Sequence, residues 1–288
     1  MPPALNVGGR RREPRSHRKA RRHGRRNQRS ELAGRLIVAI PALLAVLVLV
    51  DAGGIVLVVG LAALGWAAMD ELYRLFDRAH PIKLAGLLGL VAVLLAAQYG
   101  NQFQVLLVAM ALLPLTFLLT LVAPRGGTLG IAVTLLGVWW IALALAHAVL
   151  LRGSPHGEAI VIDVLVGTFV GDTGAYLGGR MFGRRSMAPR ISPHKTVEGL
   201  FIGIAAAILG VLFASLYQDW LPKGYALLLG LAIALAAPLG DLFESYVKRE
   251  AGVKDSGRLF GPHGGALDRI DAVLFTMVAA YYVWIAVA

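Results

Sequence analysis

The sequence lacks cysteine altogether, since none of its 288 residues is a Cys. This absence excludes disulfide bonds and metal sites built from thiolates. Any metal must therefore be held by oxygen or imidazole ligands, and oxygen ligands favour magnesium.

Charge is also scarce, because only 16% of the residues are charged whereas 57% are hydrophobic. The mean hydropathy of +0.69 is typical of a polytopic membrane protein. Because a spanning helix needs about 20 apolar residues, the sequence predicts an all-α integral membrane protein with about nine transmembrane helices. The predicted spans are approximately 32–50, 53–72, 84–100, 103–122, 129–151, 160–180, 199–217, 224–246 and 267–287.

The net charge of +11 is concentrated in the first 30 residues, which hold eleven Arg and Lys against a single acid, Glu13. This leaves 17 basic and 16 acidic residues for the remainder of the chain. We expect a disordered cytoplasmic tail over residues 1–31 and a membrane-embedded domain over 32–288. The tail is either an arm on anionic lipid headgroups or, the favoured interpretation, a solvated topology determinant. No folded nucleic-acid-binding module accompanies it, so no nucleic acid partner is predicted.

The distribution of basic residues predicts the orientation in the membrane. With the tail in the cytoplasm, 26 of the 28 Arg and Lys residues fall on the cytoplasmic side, and only Arg152 and Lys223 fall outside. We therefore expect a multi-pass protein of the inner (cytoplasmic) membrane with a cytoplasmic N-terminus. The polar loops 181–198 and 247–266 then share the cytoplasmic face, where we expect the active site.

Two sets of carboxylates lie at the ends of the last two predicted spans. An ionisable group at membrane depth is costly unless it faces a cavity, a partner or an ion. Asp268 and Asp271 lie one turn apart at the start of the last span. The other set lies at positions i, i+3, i+4 and i+7 and shares one helix face: Asp241, Glu244, Ser245 and Lys248. Carboxylates in this arrangement indicate a site for a divalent metal.

Two polar loops supply groups that suit phosphate. One contains Lys254, Asp255 and His263 together with glycines whose backbone N–H groups can approach an anion closely. The other follows Asp172, which lies inside a predicted span, and gathers cations and hydroxyls over a short stretch that includes Arg190, Ser192, Lys195 and Thr196. Such a loop can clamp a triphosphate by charge-assisted hydrogen bonds.

These motifs resemble the signature of the phosphatidate cytidylyltransferases, also called CDP-diacylglycerol synthases. The downstream segment, Ser245 to Asp271, reads S-Y-V-K-R-E-A-G-V-K-D-S-G-R-L-F-G-P-H-G-G-A-L-D-R-I-D. The upstream segment reads D-T-G-A-Y, then G-R, then S-P-H-K-T-V-E-G. Two departures are visible: His194 stands where the family commonly has lysine, and G-P-H-G-G inverts the usual P-G-H-G-G.

The resemblance implies that CTP and phosphatidic acid give CDP-diacylglycerol and diphosphate at a magnesium centre, with a second metal ion left open. It implies the catalytic residues Asp241, Asp268, Lys248, Asp255 and Asp271. Metal ligands would be Asp241 and Asp268, with Asp172 of second rank. The substrate-binding residues would be Arg190, Ser192, Lys195, Thr196, Ser245, Arg249, Lys254, His263, Gly264, Gly265 and Arg269. The oligomeric state is left open, with a homodimer as one alternative.

Three other functions are compatible with carboxylates in a membrane protein. A transporter would distribute polar groups through both leaflets and contain a repeat, whereas this sequence concentrates them at one face. A CTP-dependent lipid kinase would use similar contacts and differs in its product. A CDP-alcohol phosphotransferase is disfavoured because Asp268 and Asp271 are three positions apart rather than four.

Overall fold

The computed structural model describes residues 41–122, 127–257, 259 and 264–287. It divides the chain into two units, residues 1–46 and 47–288, and all the contacts discussed below lie within the second. The predicted tail boundary at residue 31 lies outside the described residues and stays a prediction.

The described part of the chain is mostly helical. Its helices are α1 (Pro41–Ala52), α2 (Gly54–Leu75), α3 (Lys83–Tyr99), α4 (Gln102–Val122), α5 (Gly127–Gly153), α6 (Gly157–Phe182), α7 (Val197–Ala214), α8 (Lys223–Glu250) and α9 (Leu267–Val287). Short 3-10 helices cover Asp77–Ala79 and Ser215–Tyr217, and α5 contains a π-helical turn at Val138–Ala142.

Seven helices in the described ranges are long and apolar enough to cross a membrane: α2, α4, α5, α6, α7 extended to Tyr217, α8 and α9. The predicted multi-pass membrane architecture is therefore confirmed. The two shorter apolar helices, α1 and α3, correspond to the first and third predicted spans, and the first of these spans begins outside the described residues. The count of nine spans stays a prediction.

The hydrophobic core explains why the last turns of α8 and the first turns of α9 are fixed in place. Leu72 and Tyr73 of α2 are fully buried, and the same core contains Val247 of α8 with Leu267 and Ile270 of α9. These apolar residues are neighbours in sequence of Lys248, Asp268 and Asp271. Burial of one helix face therefore orients the polar residues on the other face.

Helices α6 and α7 form the most extensive helix pair in the described chain. Small residues line their contact: a Cβ atom on Gly174 would lie 2.5 Å from the Cβ of Ala206, and one on Gly203 would lie 2.7 Å from that of Ala175. Such close approach at small residues is a usual way in which helices pack in membranes.

The segment between α6 and α7 contains a β-hairpin, so the all-α prediction needs a correction. Strands β1 (Ser186–Ala188) and β2 (Ser192–Thr196) pair antiparallel, with Ser186 opposite Thr196 and Ala188 opposite Ser192. The strands of this hairpin are too short to show a period-2 pattern, so the sequence alone predicts a loop here. The hairpin lies at the end of α6 and carries four of the predicted substrate-binding residues, Arg190, Ser192, Lys195 and Thr196.

Candidate active site

The site is built where α8 packs tightly against α9 at Gly240. A Cβ atom on Gly240 would collide with the backbone oxygen of Asp271, so glycine is required for this approach. The approach brings Asp241, Glu244 and Asp271 together, with one carboxylate oxygen from each lying within 4.8 Å of the others. We call these three residues the acidic cluster.

Lys248 joins the acidic cluster to the start of α9. Its Nζ atom lies 2.5 Å from a carboxylate oxygen of Glu244 and 2.8 Å from Oδ1 of Asp268. The Glu244 side chain is only 2% exposed. Because a buried carboxylate without a counter-charge is very unfavourable, Lys248 stabilises the position of Glu244 as well as that of Asp268.

Asp268 holds the loop between α8 and α9 against the first turn of α9. Its Oδ2 atom accepts hydrogen bonds from the backbone N–H of Gly265 at 2.7 Å and of Ser256 at 3.1 Å. Gly264 has a φ of 83°, a conformation that favours glycine. Two of the glycines predicted to bind substrate, Gly264 and Gly265, therefore also shape this turn.

The β-hairpin contributes a cation to the acidic cluster. Lys195 forms an ion pair with Asp241. Arg249, at the end of α8, donates from Nε to the backbone oxygen of Ile191 at 3.2 Å and so ties α8 to the hairpin. The two predicted phosphate-binding segments therefore meet at one site, although they are more than 50 positions apart in sequence.

Asp172 on α6 belongs to the same neighbourhood. Asp172 lies close enough to Asp241, Lys195 and Asp271 to interact electrostatically with all three. The carboxylates that the sequence analysis singled out in three different spans thus converge on one end of the bundle.

Other predicted substrate-binding residues lie around this centre with less definite contacts. Thr196 accepts a hydrogen bond from the N–H of Gly199 at 3.1 Å and caps the N-terminus of α7. Arg190, Lys254, Asp255 and Arg269 are exposed, whereas Ser192 and Ser245 are half-buried. His263 lies outside the described residues.

Two carboxylates have contacts that the sequence does not predict. Glu244 lies on the helix face predicted to hold a metal, but its burial and its pairing with Lys248 follow only from the structure. Glu71 on α2 is buried and binds the loop between α8 and α9. The sequence contains one signal for a role of Glu71: its carboxylate lies inside the predicted span 53–72. A carboxylate at that depth is unfavourable without a partner.

The donor set of the acidic cluster fits a hard divalent cation. All three residues offer carboxylate oxygens, the ligands that magnesium prefers. In addition, Oε1 of Glu244 is buried and has no hydrogen-bond partner among the described residues. Asp241 was a predicted ligand, while Asp268 contacts Lys248 and the loop. The role of Asp268 as a metal ligand stays a prediction.

Comparison with known proteins adds an independent line of evidence. Residues 33–287 match the model of the Cytidylyltransferase family. This range includes every helix described here.

Three bacterial relatives cover most of the chain, and each is a phosphatidate cytidylyltransferase. The Staphylococcus epidermidis protein is 32% identical over 255 residues, which are 84% of this chain and 95% of the relative. The Bacillus subtilis protein is 32% identical over 265 residues, 88% of this chain and 97% of the relative. The Staphylococcus aureus protein is 33% identical over 252 residues, with coverages of 84% and 95%.

Proposed function

Since the chain belongs to the cytidylyltransferase family, we propose that it is a phosphatidate cytidylyltransferase of phospholipid biosynthesis. It transfers the cytidylyl group of CTP to phosphatidic acid and releases diphosphate. The observation that supports this most directly is the convergence of Lys195, Lys248 and the acidic cluster from separate segments onto one site. That arrangement suits a reaction between two anions.

In the reaction, a phosphate oxygen of phosphatidic acid attacks the α-phosphorus of CTP. A new P–O bond forms to the lipid phosphate, and the bond between the α-phosphorus and the bridging oxygen breaks, so that diphosphate leaves with that electron pair. The second pKa of a phosphomonoester is about 6, so the attacking oxygen is already anionic near neutral pH. The site therefore needs no strong general base.

Catalysis then depends on neutralising charge and positioning the two substrates. Lys195 and Lys248 are half-buried cations that already neutralise carboxylates in the site. We propose that they contact phosphate oxygens as negative charge moves onto the leaving diphosphate. Arg249, fixed to the hairpin through Ile191, would orient the phosphates from the adjoining side.

We propose that the acidic cluster holds Mg²⁺, with Asp241 and Asp271 as the principal ligands. When bound there, the ion would neutralise phosphate charge and so make the diphosphate a better leaving group. Asp268, which the resemblance implies as a ligand beside Asp241, is here proposed for second rank because it binds Lys248 and the loop. Asp172 keeps its second rank, and a second metal ion would use both residues. Asp255 is proposed as an orienting group on the loop.

We also propose that substrate phosphates contact the polar side chains and backbone amides that surround the acidic cluster. The set consists of Arg190, Ser192, Lys195, Thr196, Ser245, Arg249, Lys254, His263, Gly264, Gly265 and Arg269. The position of these residues supports the proposal. The residues that lie in the described ranges come from the hairpin, the end of α8, the following loop and the start of α9.

The proposed orientation places the site at the cytoplasmic face, where CTP is available. We propose nine spans within a membrane domain over 32–288, with the N-terminus and a tail over 1–31 in the cytoplasm. The support is the positive-inside distribution of 26 of 28 basic residues, together with the two additional apolar helices α1 and α3. The tail would act mainly as a solvated topology determinant, with anionic lipid headgroups as its partners at the membrane surface.

Two labelled forms of CTP test the reaction. Purified protein is incubated with phosphatidic acid, Mg²⁺ and CTP that carries ³²P at either the α or the γ position. Cytidylyl transfer predicts that the α label enters the lipid and the γ label appears in diphosphate. Label from the γ position in the lipid would indicate a lipid kinase instead, and no label in lipid from either form would contradict enzyme function.

A further inference from the structure

The loop between α8 and α9 is attached to α2 by one buried side chain, Glu71. Its Oε1 atom accepts a hydrogen bond from the backbone N–H of Ala266 at 2.9 Å. Its Oε2 atom accepts from the N–H of Leu267 at 3.0 Å and from the hydroxyl of Ser256 at 2.9 Å. Glu71 is 8% exposed and Ser256 is 7% exposed, so these bonds are shielded from water.

Two glycines of the same loop are shaped around this carboxylate. A Cβ atom on Gly257 or on Gly265 would collide with the Glu71 carboxyl group, whose atoms are the nearest neighbours of both positions. We call Glu71, Ser256, Gly257, Gly265, Ala266 and Leu267 the loop anchor. Both ends of the loop segment from Ser256 to Leu267 therefore contact a single side chain on a distant helix.

The loop anchor also completes the N-terminus of α9. The first backbone N–H groups of a helix have no partner within that helix. Ala266 precedes α9 and Leu267 is its first residue, and Glu71 accepts from both. A negative charge at this position is favourable for the helix dipole. The next residue is Asp268, which binds Lys248, and Asp271 follows one turn later.

We infer that Glu71 is a positioning residue for cytidylyl transfer. It fixes the start of α9 and the glycine loop relative to the rest of the bundle, and thereby holds Asp268 and Asp271 where Lys248 and Asp241 meet them. The inference rests on the proposed function and assigns Glu71 no contact with substrate. Its effect on the rate is transmitted through the residues that it fixes.

Glu71→Gln tests this with a side chain of nearly the same size. If the amide nitrogen takes the place of Oε1 it faces the N–H of Ala266, and if it takes the place of Oε2 it faces the N–H of Leu267. In either orientation one buried N–H loses its acceptor. The matched control is Asp70→Asn, the adjacent carboxylate on α2, which pairs locally with Arg74.

Kinetics and amide hydrogen exchange are measured on the monodisperse fraction of each full-length protein. For Glu71→Gln we expect kcat to fall about 10- to 100-fold because misplaced catalytic groups lose rate, with KM for CTP and phosphatidic acid within about threefold. Exchange in peptides covering 256–257 and 264–267 should accelerate. Asp70→Asn should match the wild type in all these measurements.

A merely structural role would lower the yield of folded Glu71→Gln but leave the kcat of the folded fraction unchanged, and that result would overturn the inference. Unchanged exchange would overturn the anchoring itself, whether or not the enzyme turns over. If wild-type protein makes no CDP-diacylglycerol while exchange does respond to Glu71→Gln, the proposed function fails and the anchor stands.

A second pair of variants keeps the test decisive if Glu71→Gln does not fold. Gly265→Ala would place its Cβ against the carboxyl group of Glu71, and we expect a large loss of kcat. Glu71→Asp shortens that side chain and frees the space. The double variant Gly265→Ala/Glu71→Asp should therefore be more active than Gly265→Ala alone. An equal or lower activity of the double variant would show that Gly265 and Glu71 do not act through each other.

Discussion

The two ends of α6 both carry buried or partly buried charged side chains, but carboxylates from several helices cluster at only one end. Near the start of α6, Asp163 is fully buried and accepts two hydrogen bonds from Gln218 at 2.9 and 3.1 Å. Close by in sequence, Arg152 donates to the backbone oxygen of Val50 at 2.6 Å and pairs with Glu158 at 3.0 Å. These contacts join neighbouring segments of the bundle, and each charged group has a local partner.

Towards the other end of α6, carboxylates from three helices lie together with two ion-paired lysines. Five carboxylates share the region with two lysines: Asp172, Asp241, Glu244, Asp268 and Asp271, with Lys195 and Lys248. A concentration of like charges is unfavourable unless a cation or a reaction makes use of it. The difference between the ends teaches that polar residues within a membrane bundle can be structural, whereas a convergence of carboxylates from several helices supports the proposed site of chemistry.

The largest expected effect comes from neutralising a carboxylate of the acidic cluster. Asp241→Asn keeps the shape of the side chain but removes one of the proposed ligand charges and the ion pair with Lys195. We expect kcat/KM to fall more than about 100-fold, since even residues behind the ligands of metal sites cost 10- to 100-fold. Turnover is measured at saturating Mg²⁺. Near-wild-type turnover would exclude Asp241 from the catalytic centre.

Lysines from the two ends provide the next comparison. Lys248→Ala removes the cation that binds Glu244 and Asp268. Losing one charge-assisted contact of about 1.5–3 kcal/mol corresponds to roughly a 10- to 100-fold fall in kcat/KM. Lys223→Ala removes a contact with the backbone oxygen of Ser215 and should leave kcat/KM within about twofold. Equal losses in the two variants would remove the distinction between the ends.

Arg152→Ala should separate stability from activity. The variant loses hydrogen bonds to the backbone oxygens of Val50 and Asp51, as well as the pair with half-exposed Glu158. Because hydrogen bonds from charged groups contribute about 1.5–3 kcal/mol, we expect a lower unfolding temperature. The kcat of the folded fraction should remain close to that of the wild type. A loss of kcat without loss of thermal stability would show that this end also serves catalysis.

The smallest effect is expected from the basic tail. Deletion of residues 1–29 removes eleven Arg and Lys residues but none of the motifs around the acidic cluster. Detergent-purified protein should keep kcat within a few-fold, while binding to vesicles with anionic lipids weakens. Complete inactivity of correctly inserted protein would assign the tail a catalytic part.

Much of the candidate site was predictable because its residues follow helical spacing. The positions of Asp241 and Lys248 place them on one face of α8, and the i, i+3 spacing places Asp268 and Asp271 at the start of α9. The spacing alone does not predict whether Asp268 or Asp271 lies close to Asp241. That depends on the approach of α8 to α9 at Gly240, which places Asp271 in the acidic cluster and Asp268 against Lys248.

Two further features depend on contacts between distant segments and leave little trace in a single sequence. The β-hairpin is stabilised partly by the bond from the N–H of Val197 to the oxygen of Arg185, and its strands are too short for a clear pattern. Glu71 is separated from Ala266 by 195 positions. Its burial is visible in the sequence only as a carboxylate near the end of an apolar run.

The most direct test of this comparison uses two aspartates, one from the region at each end of α6. Asp163→Asn and Asp271→Asn make the same chemical change, the first beside Gln218 and the second in the acidic cluster. Transfer of α-labelled phosphate from CTP to phosphatidic acid is measured for the folded fraction of each variant. We predict that Asp163→Asn transfers label within a few-fold of the wild-type rate and that Asp271→Asn is slower by about 100-fold or more. Equal rates in the two variants would contradict the assignment of catalysis to the acidic cluster.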